Sequence, residues 1–463
     1  MAGILAASAY VPRYRLPRDV IAREWGGMPA PGERSVANHD EDALTMAVGA
    51  VLGLPAEAGR PDAVVFASTT APYGEKLGAA TVAAVLDLPD TARSLDVGGT
   101  LRAGTSAVLA AIDQVAGGAA TRVLVAAGEC RLGEPESPSE QSFGDAGAAL
   151  LVGAEPGVAE VVATHSVAEE LLGTWRTSEQ SFPRGFPGGF ETKAGYQPLL
   201  AKAARAVLAD AGVAAGDLAA VVLPVPAPRA PLGVAKALGL DPKRQLQDGF
   251  WTTVGDTGAV QPLLMLAAVL ERAQAGDHVL VCGYGDGADA ILLRATGARL
   301  AAAASVAQQI EVKRTLPSYG RYARFRRLVR RESGVPDVAS PVVAFRDRKS
   351  LLPLHGGRCR QCGVVQFPRH RACIECAFGG GLEAVALGRR GTLFTFTHDH
   401  LFESLDPPTT HGVIDLEGGG RVYLQLTDCD ADRVAIDMPL ELTFRRLHEG
   451  GGFHNYFWKA RPA

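Results

Sequence analysis

At 463 residues with 47% hydrophobic side chains, the chain has length for two or three domains and enough apolar material for a large core. Its 46 Lys and Arg against 50 Asp and Glu leave a formal charge of −4, which gives no global reason to expect nucleic acid or membrane as a partner. The opening residues carry no basic leader and no apolar run reaches spanning length, so a cytoplasmic protein is expected. Of seven cysteines, four crowd into the eighteen residues 359–376; this clustering points to a metal site in a reducing compartment rather than a disulfide scaffold.

Gly3 to Ser8 is short and apolar and reads as a first strand. Asp40, Glu41 and Asp42 then precede the apolar run Ala43 to Leu52, the acid-led start of a helix. Ala63 to Ser68 reads as a strand and Leu77 to Leu86 as a helix, returning the chain to Asp96-Val-Gly-Gly-Thr-Leu-Arg-Ala-Gly-Thr-Ser106. That stretch has the pattern of a strand turning through Gly98 and Gly99 into a buried helix, since Ala103 to Ala111 holds no charge. Such an elbow sets the first helical turn, here Leu101 and Arg102, where unpaired N–H groups and the helix dipole favour a nucleophile. A strand from Thr121 to Glu129 follows, then a polar excursion, then the run Phe143 to Val152.

The order repeats over residues 217–294, and self-similarity outweighs any single motif. Ala219 to Pro224 answers Ala63 to Ala67, Gly258 to Ala273 answers the elbow helix, and His278 to Cys282 answers Arg122 to Ala126. Gly283 to Leu293 answers Phe143 to Leu151. Alternating strands and helices, duplicated, predict an α/β fold in two halves, about 1–155 and 156–300. Between them, Gly173 to Phe190 holds too much Gly and Pro for a regular element and reads either as a lid or as a crossover loop with Trp175 in the core.

Lys313 to Arg331 carries eight basic residues and no acid, and Tyr319, Tyr322 and Phe325 recur at helical spacing. This predicts a basic linker helix, within 301–345, docked by its aromatic stripe with the arginines facing outward. A third region spans 346–463. There Cys359-Arg-Gln-Cys362 and Cys373-Ile-Glu-Cys376, ten residues apart, can close four thiolates on one tetrahedral zinc, leaving no open position and hence a structural role. Short β runs from Gly391, Thr410, Gly420 and Leu440 follow, the pattern of a small barrel. The acidic stretch Leu426 to Asp432 argues against nucleic acid on it. His398, His400, His411, His448 and His454 are read as hydrogen-bonded structural residues, and Cys130 and Cys429 as packing cysteines.

The elbow resembles that of the thiolase superfamily, in the branch of hydroxymethylglutaryl-CoA synthases and type III ketoacyl synthases, whose pattern runs Ala-Cys-x-Ala-Gly-Thr-x-Ala. Aligned on Ala103-Gly104-Thr105 and Ala107, the acyl-accepting cysteine of that family falls on Leu101. The family glutamate falls on Thr69, its histidine on Pro224 and its asparagine on Asp256. The C-terminal region resembles a zinc-ribbon plus OB-fold family that accompanies such enzymes, on Cys-Arg-Gln-Cys-Gly, Phe367-Pro368, Gly419-Gly-Arg421 and Tyr456-Phe-Trp-Lys459. Together these imply a duplicated thiolase-like fold followed by a rubredoxin-like zinc ribbon and an OB barrel.

The resemblance further implies an acyl-CoA ligand, and Arg102, Arg176, Arg324 and Arg327 are the expected basic contacts; Trp175-Arg176 resembles a Phe-Trp-Arg element of the synthases. With leucine in place of the cysteine, covalent condensation is not expected. Two expectations remain. One is non-covalent aldol or retro-aldol chemistry on a CoA thioester, for which the related steroid side-chain aldolases are a precedent, with Asp256, Tyr73, Glu129 and Tyr284 as candidate catalytic groups. The other is a silent subunit that docks a cysteine-bearing thiolase. A homodimer, or a hetero-oligomer with a thiolase-family subunit, is the expected assembly.

Overall fold

The computed structural model describes residues 2–186, 189–299, 302–329, 338–402 and 404–463. Arg330 and Arg331 of the basic segment, residues 334–337 in the linker expected after it, and 187–188 of the Gly/Pro-rich stretch lie outside the described residues. The chain forms two compact units: Met1–Ala37, Asp42–Val82 and Pro89–Arg326 make the first, and Asn38–Glu41, Ala83–Leu88 and Arg327–Ala463 the second. Among the described residues no helix is long and apolar enough to cross a membrane.

The first unit is organised on nine strands. In chain order they are β1 (Gly3–Tyr10), β2 (Ala63–Ala67), β3 (Arg93–Val97), β4 (Arg122–Cys130), β5 (Asp145–Gly153), β6 (Ala159–Ala168), β7 (Leu218–Val222), β8 (His278–Tyr284) and β9 (Gly287–Ala295). They lie in the order β7-β8-β9-β6-β1-β5-β4-β2-β3. Runs such as Ala63–Ala67 and Asp145–Gly153 are buried at every position, which is why they read as continuous apolar segments rather than alternating ones. In the first half β2 pairs parallel to β4, β4 antiparallel to β5, and β5 antiparallel to β1. The second half repeats this: β7 parallel to β8, β8 antiparallel to β9, β9 antiparallel to β6. The two halves join where β1 meets β6, Gly3 opposite Glu160. The duplication read from the sequence is therefore a duplication of strand pairing.

Four helices fix the core: α1 (Ala43–Leu52), α2 (Ala103–Ala116), α3 (Gln197–Ala211) and α4 (Gln261–Leu270). Asp42 and Thr45 close a reciprocal capping box on α1. The two elbow helices, α2 and α4, share one apolar core, and α4 is buried along its whole length. Gly104 makes the approach possible, because a Cβ there would collide with the Ala259 carbonyl oxygen. Of the two elbow glycines Gly99 takes the left-handed conformation, with φ 78°.

The hydroxyls of α2 are not a solvated stripe. Asp289, fully buried on β9, accepts from Thr105 Oγ1 at 2.9 Å, Ser106 Oγ at 2.8 Å, Ser166 Oγ at 2.9 Å and Arg102 Nη1 at 3.0 Å. One anion thus ties the elbow to the second half and meets the positive end of the α2 dipole.

Residues 301–345 are not one linker helix. Val306–Glu311 and Tyr319–Phe325 are separate short helices of the first unit, and Pro341–Leu351 belongs to the second. The aromatic stripe does dock, since Tyr319, Tyr322 and Phe325 are buried. The arginines do not all face outward: Arg326 turns in, donating to Asp145 Oδ2 at 2.9 Å, Cys130 Sγ at 2.8 Å and the Arg131 carbonyl at 3.0 Å. A buried carboxylate needed a cation, and the sequence pattern could not show Asp145 beneath the helix.

In the second unit His355–Cys359, Val365–Gln366 and Leu382–Ala386 form a small ribbon. Five further strands, β10 (Arg390–Asp399), β11 (Thr409–Leu416), β12 (Arg421–Gln425), β13 (Pro439–Gly450) and β14 (Phe453–Pro462), lie in the order β12-β11-β10-β13-β14. A bridge from Leu426 to Ala460 brings the sheet's two edges together, which makes the sheet a barrel. Arg445 is buried among Asp40, Glu41 and Asp428, and Lys459 pairs with Asp40 at 2.9 Å. Burial opposes ionisation of Asp40, but Lys459 and Arg445 outweigh it and hold its carboxyl far below the usual range.

Replacing Asp289 with Ala removes the acceptor shared by Arg102 and three hydroxyls in the interior. The expected cost is about 3–5 kcal/mol of stability, the scale for removing one partner of a buried ion pair, read as a lowered midpoint in denaturant unfolding.

Candidate active site and metal centre

A cavity of about 200 Å³ opens in the first unit at the ends of the parallel strands, where open α/β sheets place their ligands. Leu101 enters from the elbow, Arg131 from just beyond β4, Pro224 from beyond β7, Asp256 from the turn before α4 and Tyr284 from the end of β8. The Gly/Pro-rich stretch supplies another wall: Thr174–Trp175 pairs with Arg184–Gly185 as a short ribbon, and Thr174, Pro183 and Arg184 line the cavity. Trp175 is half-buried within this ribbon. Glu191 and Thr192 follow, at the start of the helical turn that precedes α3.

The expected catalytic groups separate. Asp256 and Tyr284 line the cavity; Tyr73 and Glu129 do not. Asp256 Oδ2 is ion-paired with Arg131 at 2.5 Å, and its Oδ1 accepts the Gly258 N–H at 2.9 Å. The Arg131 guanidinium lies over the Phe143 ring, 3.7 Å from its centroid. Glu129 is fully buried and accepts from Thr69 N at 2.7 Å, Thr69 Oγ1 at 3.0 Å and Thr70 Oγ1 at 2.7 Å. Burial pushes its carboxyl up, against those donors and Arg131. Tyr73 lies near Lys76, whose Nζ is 5.4 Å from its ring centroid.

The expected basic contacts also separate. Arg102 is engaged by Asp289, Arg176 donates to the Thr69 carbonyl at 2.9 Å, and Arg327 pairs with Glu449 at 2.5 Å within the second unit. Arg324 is exposed on the helix Tyr319–Phe325. None of the four lines the cavity.

Two groups in the cavity escaped sequence reasoning. Arg131 is signalled only by lying just past a strand end. Glu191 follows a stretch with no periodicity and becomes visible only once the fold puts it in the same cavity wall as Tyr284. Pro224, where the resemblance puts a histidine, contributes its carbonyl oxygen to the Tyr196 hydroxyl. Among the described residues no cysteine lines the cavity. Cys130 lies under Arg326, and burial pushes its thiol up to about 12 in spite of that cation.

In the second unit the sulfurs of Cys359, Cys362, Cys373 and Cys376 all lie within 4.8 Å of one another. Cys359 and Cys376 are 3.7 Å apart and Cys362 and Cys373 3.5 Å. A tetrahedral zinc with Zn–S bonds near 2.3 Å puts sulfurs roughly 3.8 Å apart, so the donor set fits that ion. The backbone N–H groups of Gln361 and Glu375 donate to Cys359 and Cys373, each at 3.4 Å, which stabilises thiolates. Zinc there could supply cross-linking of two knuckles and no open coordination position.

A sheet of two like halves, two buried elbow helices and a cavity at the elbow define a thiolase-like fold, here ending in an OB barrel. Comparison with known proteins agrees. The family of type III 3-oxoacyl-[acyl-carrier-protein] synthase C-terminal domains matches residues 208–295, and that of ChsH2 C-terminal OB-fold domains matches 384–445. Hydroxymethylglutaryl-CoA synthase of Methanopyrus kandleri is 31% identical over 298 residues, 62% of this chain and 85% of that protein. That of Aeropyrum pernix is 32% identical over 343 residues, 70% and 94%. Among solved structures, an HMG-CoA synthase complexed with CoA superposes with a TM-score of 0.60 at 22% identity, covering 70% of this chain and 89% of that one. The type III 3-oxoacyl synthase of Pseudomonas aeruginosa gives 0.59 at 22%, covering 65% and 99%.

The chain therefore belongs to the hydroxymethylglutaryl-CoA synthase family, with an OB-fold domain fused behind it.

Purified protein is expected to carry one zinc per chain by elemental analysis. Cys373→Ser, or a strong chelator, should release it and lower the melting temperature of the chain; full zinc retention in Cys373→Ser rules out the four-thiolate site.

Proposed function

We propose that the first unit binds an acyl-CoA and makes or breaks a carbon–carbon bond on the thioester by aldol-type chemistry, without a covalent acyl-enzyme. The observation that carries this reading is the cavity lining. Leu101 stands on the elbow, no cysteine lines the cavity among the described residues, and an ion-paired Arg131 and the Tyr284 hydroxyl do. Leucine cannot attack a thioester, whereas aldol chemistry needs only a base and a stabilised enolate oxygen. The family relationship supports chemistry on CoA thioesters, and one structural relative is an HMG-CoA synthase complexed with CoA.

Arg131 is suited to the enolate oxygen. Asp256 and the Phe143 face fix its guanidinium, and the N–H groups not given to Asp256 are available to the cavity. Asp256, with both oxygens engaged, acts in this reading by orienting Arg131 rather than as the free base. Zinc stays structural.

The chain incubated with radiolabelled acetyl-CoA and then denatured is expected to retain no label. Arg131→Met should lower turnover about 10²–10³-fold, the scale for losing one oxyanion donor, with Asp256→Asn following in the same direction. Stable labelling overturns the non-covalent reading. A chain that is inert alone yet stimulates an added cysteine-bearing thiolase establishes the silent-subunit alternative instead.

A further inference from the structure

We propose that Glu191, working beside Tyr284, is the proton-transferring group of this cavity; the inference rests on the aldol reading and assigns it a base. Three geometric observations lead to it. Glu191 lines the cavity at the entry to the π-helical turn Thr192–Tyr196, an irregularity that interrupts ordinary helix bonding and is common at functional sites. The turn contains Gly195, and a Cβ there would collide with the Tyr284 hydroxyl. The missing side chain gives that hydroxyl its place, and Gly173, next to the ribbon, does the same for the Glu191 carboxyl, since a Cβ there would collide with Glu191 Oε1.

The remaining observation is elimination. Asp256, the other carboxylate in the wall, has one oxygen on Arg131 and one on Gly258. Glu129 is filled by Thr69 and Thr70 and does not line the cavity. Tyr196 spends its hydroxyl on the Pro224 carbonyl and buttresses Tyr284, ring centroids 5.3 Å apart. Glu191 makes no ion pair among the described residues. Its surroundings suit a base that must also return its proton. Burial pushes the carboxyl up, the Tyr284 donor pulls against that, and the Asp256 charge adds to the rise, while Thr174 and Arg131 oppose it. A carboxyl raised toward the working pH exchanges protons in both directions.

The step balances without a co-reactant. In the cleavage direction Glu191 takes the proton of the β-hydroxyl, the C–C bond breaks as the carbonyl forms, and its electron pair enters the thioester as an enolate held at Arg131. Glu191 then gives the same proton to the enolate carbon. In the condensing direction it removes an α-proton and returns it to the new alkoxide.

The partial reaction is measurable with acetyl-CoA alone. The full-length chain in D2O is expected to exchange the α-hydrogens, followed by mass spectrometry. Glu191→Gln should slow exchange at least about 100-fold with little change in the half-saturating acetyl-CoA, and Glu191→Asp should keep part of it. Exchange at the wild-type rate in Glu191→Gln overturns the assignment alone; no exchange by the wild-type chain overturns the aldol reading as well. Tyr284→Phe provides a second readout if Glu191→Gln does not fold. Exchange requires the carboxylate, so its rate rises with pH, and losing the Tyr284 donor should move that rise to higher pH. An unmoved profile overturns the pairing.

Discussion

The first unit depends on what happens to one buried negative charge. Asp289 sits in the interior with Arg102, Thr105, Ser106 and Ser166 all donating to it. An isolated carboxylate there would be untenable, but four donors and the start of α2 compensate its desolvation. Because those donors come from the elbow and from β6, the charge fixes how the first half meets the second. The position of Leu101 in the cavity follows from that attachment.

The cavity combines a greasy floor with a few engaged polar groups. Leu101, Phe143, Pro183 and Pro224 supply walls that bind water weakly, so charges facing them are screened less than in solution. In such a place an arginine held by Asp256 and stacked on Phe143 is already oriented before a ligand arrives. The chain keeps the fold of its family, and Leu101 is the side chain its elbow brings to the cavity.

Much of this was legible in the sequence, for identifiable reasons. Strands buried on both faces announce themselves as unbroken Val, Ala and Leu runs, and the repeat of those runs disclosed the two halves. The four cysteines disclosed their cluster by spacing alone. What stayed hidden depended on partners distant in sequence. Arg131 and Asp256 meet across 125 positions, and Arg326 reaches Asp145 across 181. An outward-facing helix and an inward-facing one look alike when the buried anion is that far away. Glu191 follows a Gly/Pro-rich stretch, where no periodicity marks a face. The last strand, Phe453–Pro462, was visible only as a motif, although Tyr456, Trp458 and Ala460 are buried at every second position as a barrel strand requires.

The makeup of the second unit has a bearing on how such a chain is built. Its buried arginine and lysine, Arg445 and Lys459, find their carboxylates partly in Asn38–Glu41, a four-residue piece synthesised some four hundred positions earlier. No single peptide bond separates the two units. During synthesis the early acids must wait, solvated, until the last strands leave the ribosome. A gene split at residue 327 would leave those two cations on one polypeptide and Asp40 and Glu41 on another, so the second unit cannot be cut out of the sequence as one uninterrupted piece.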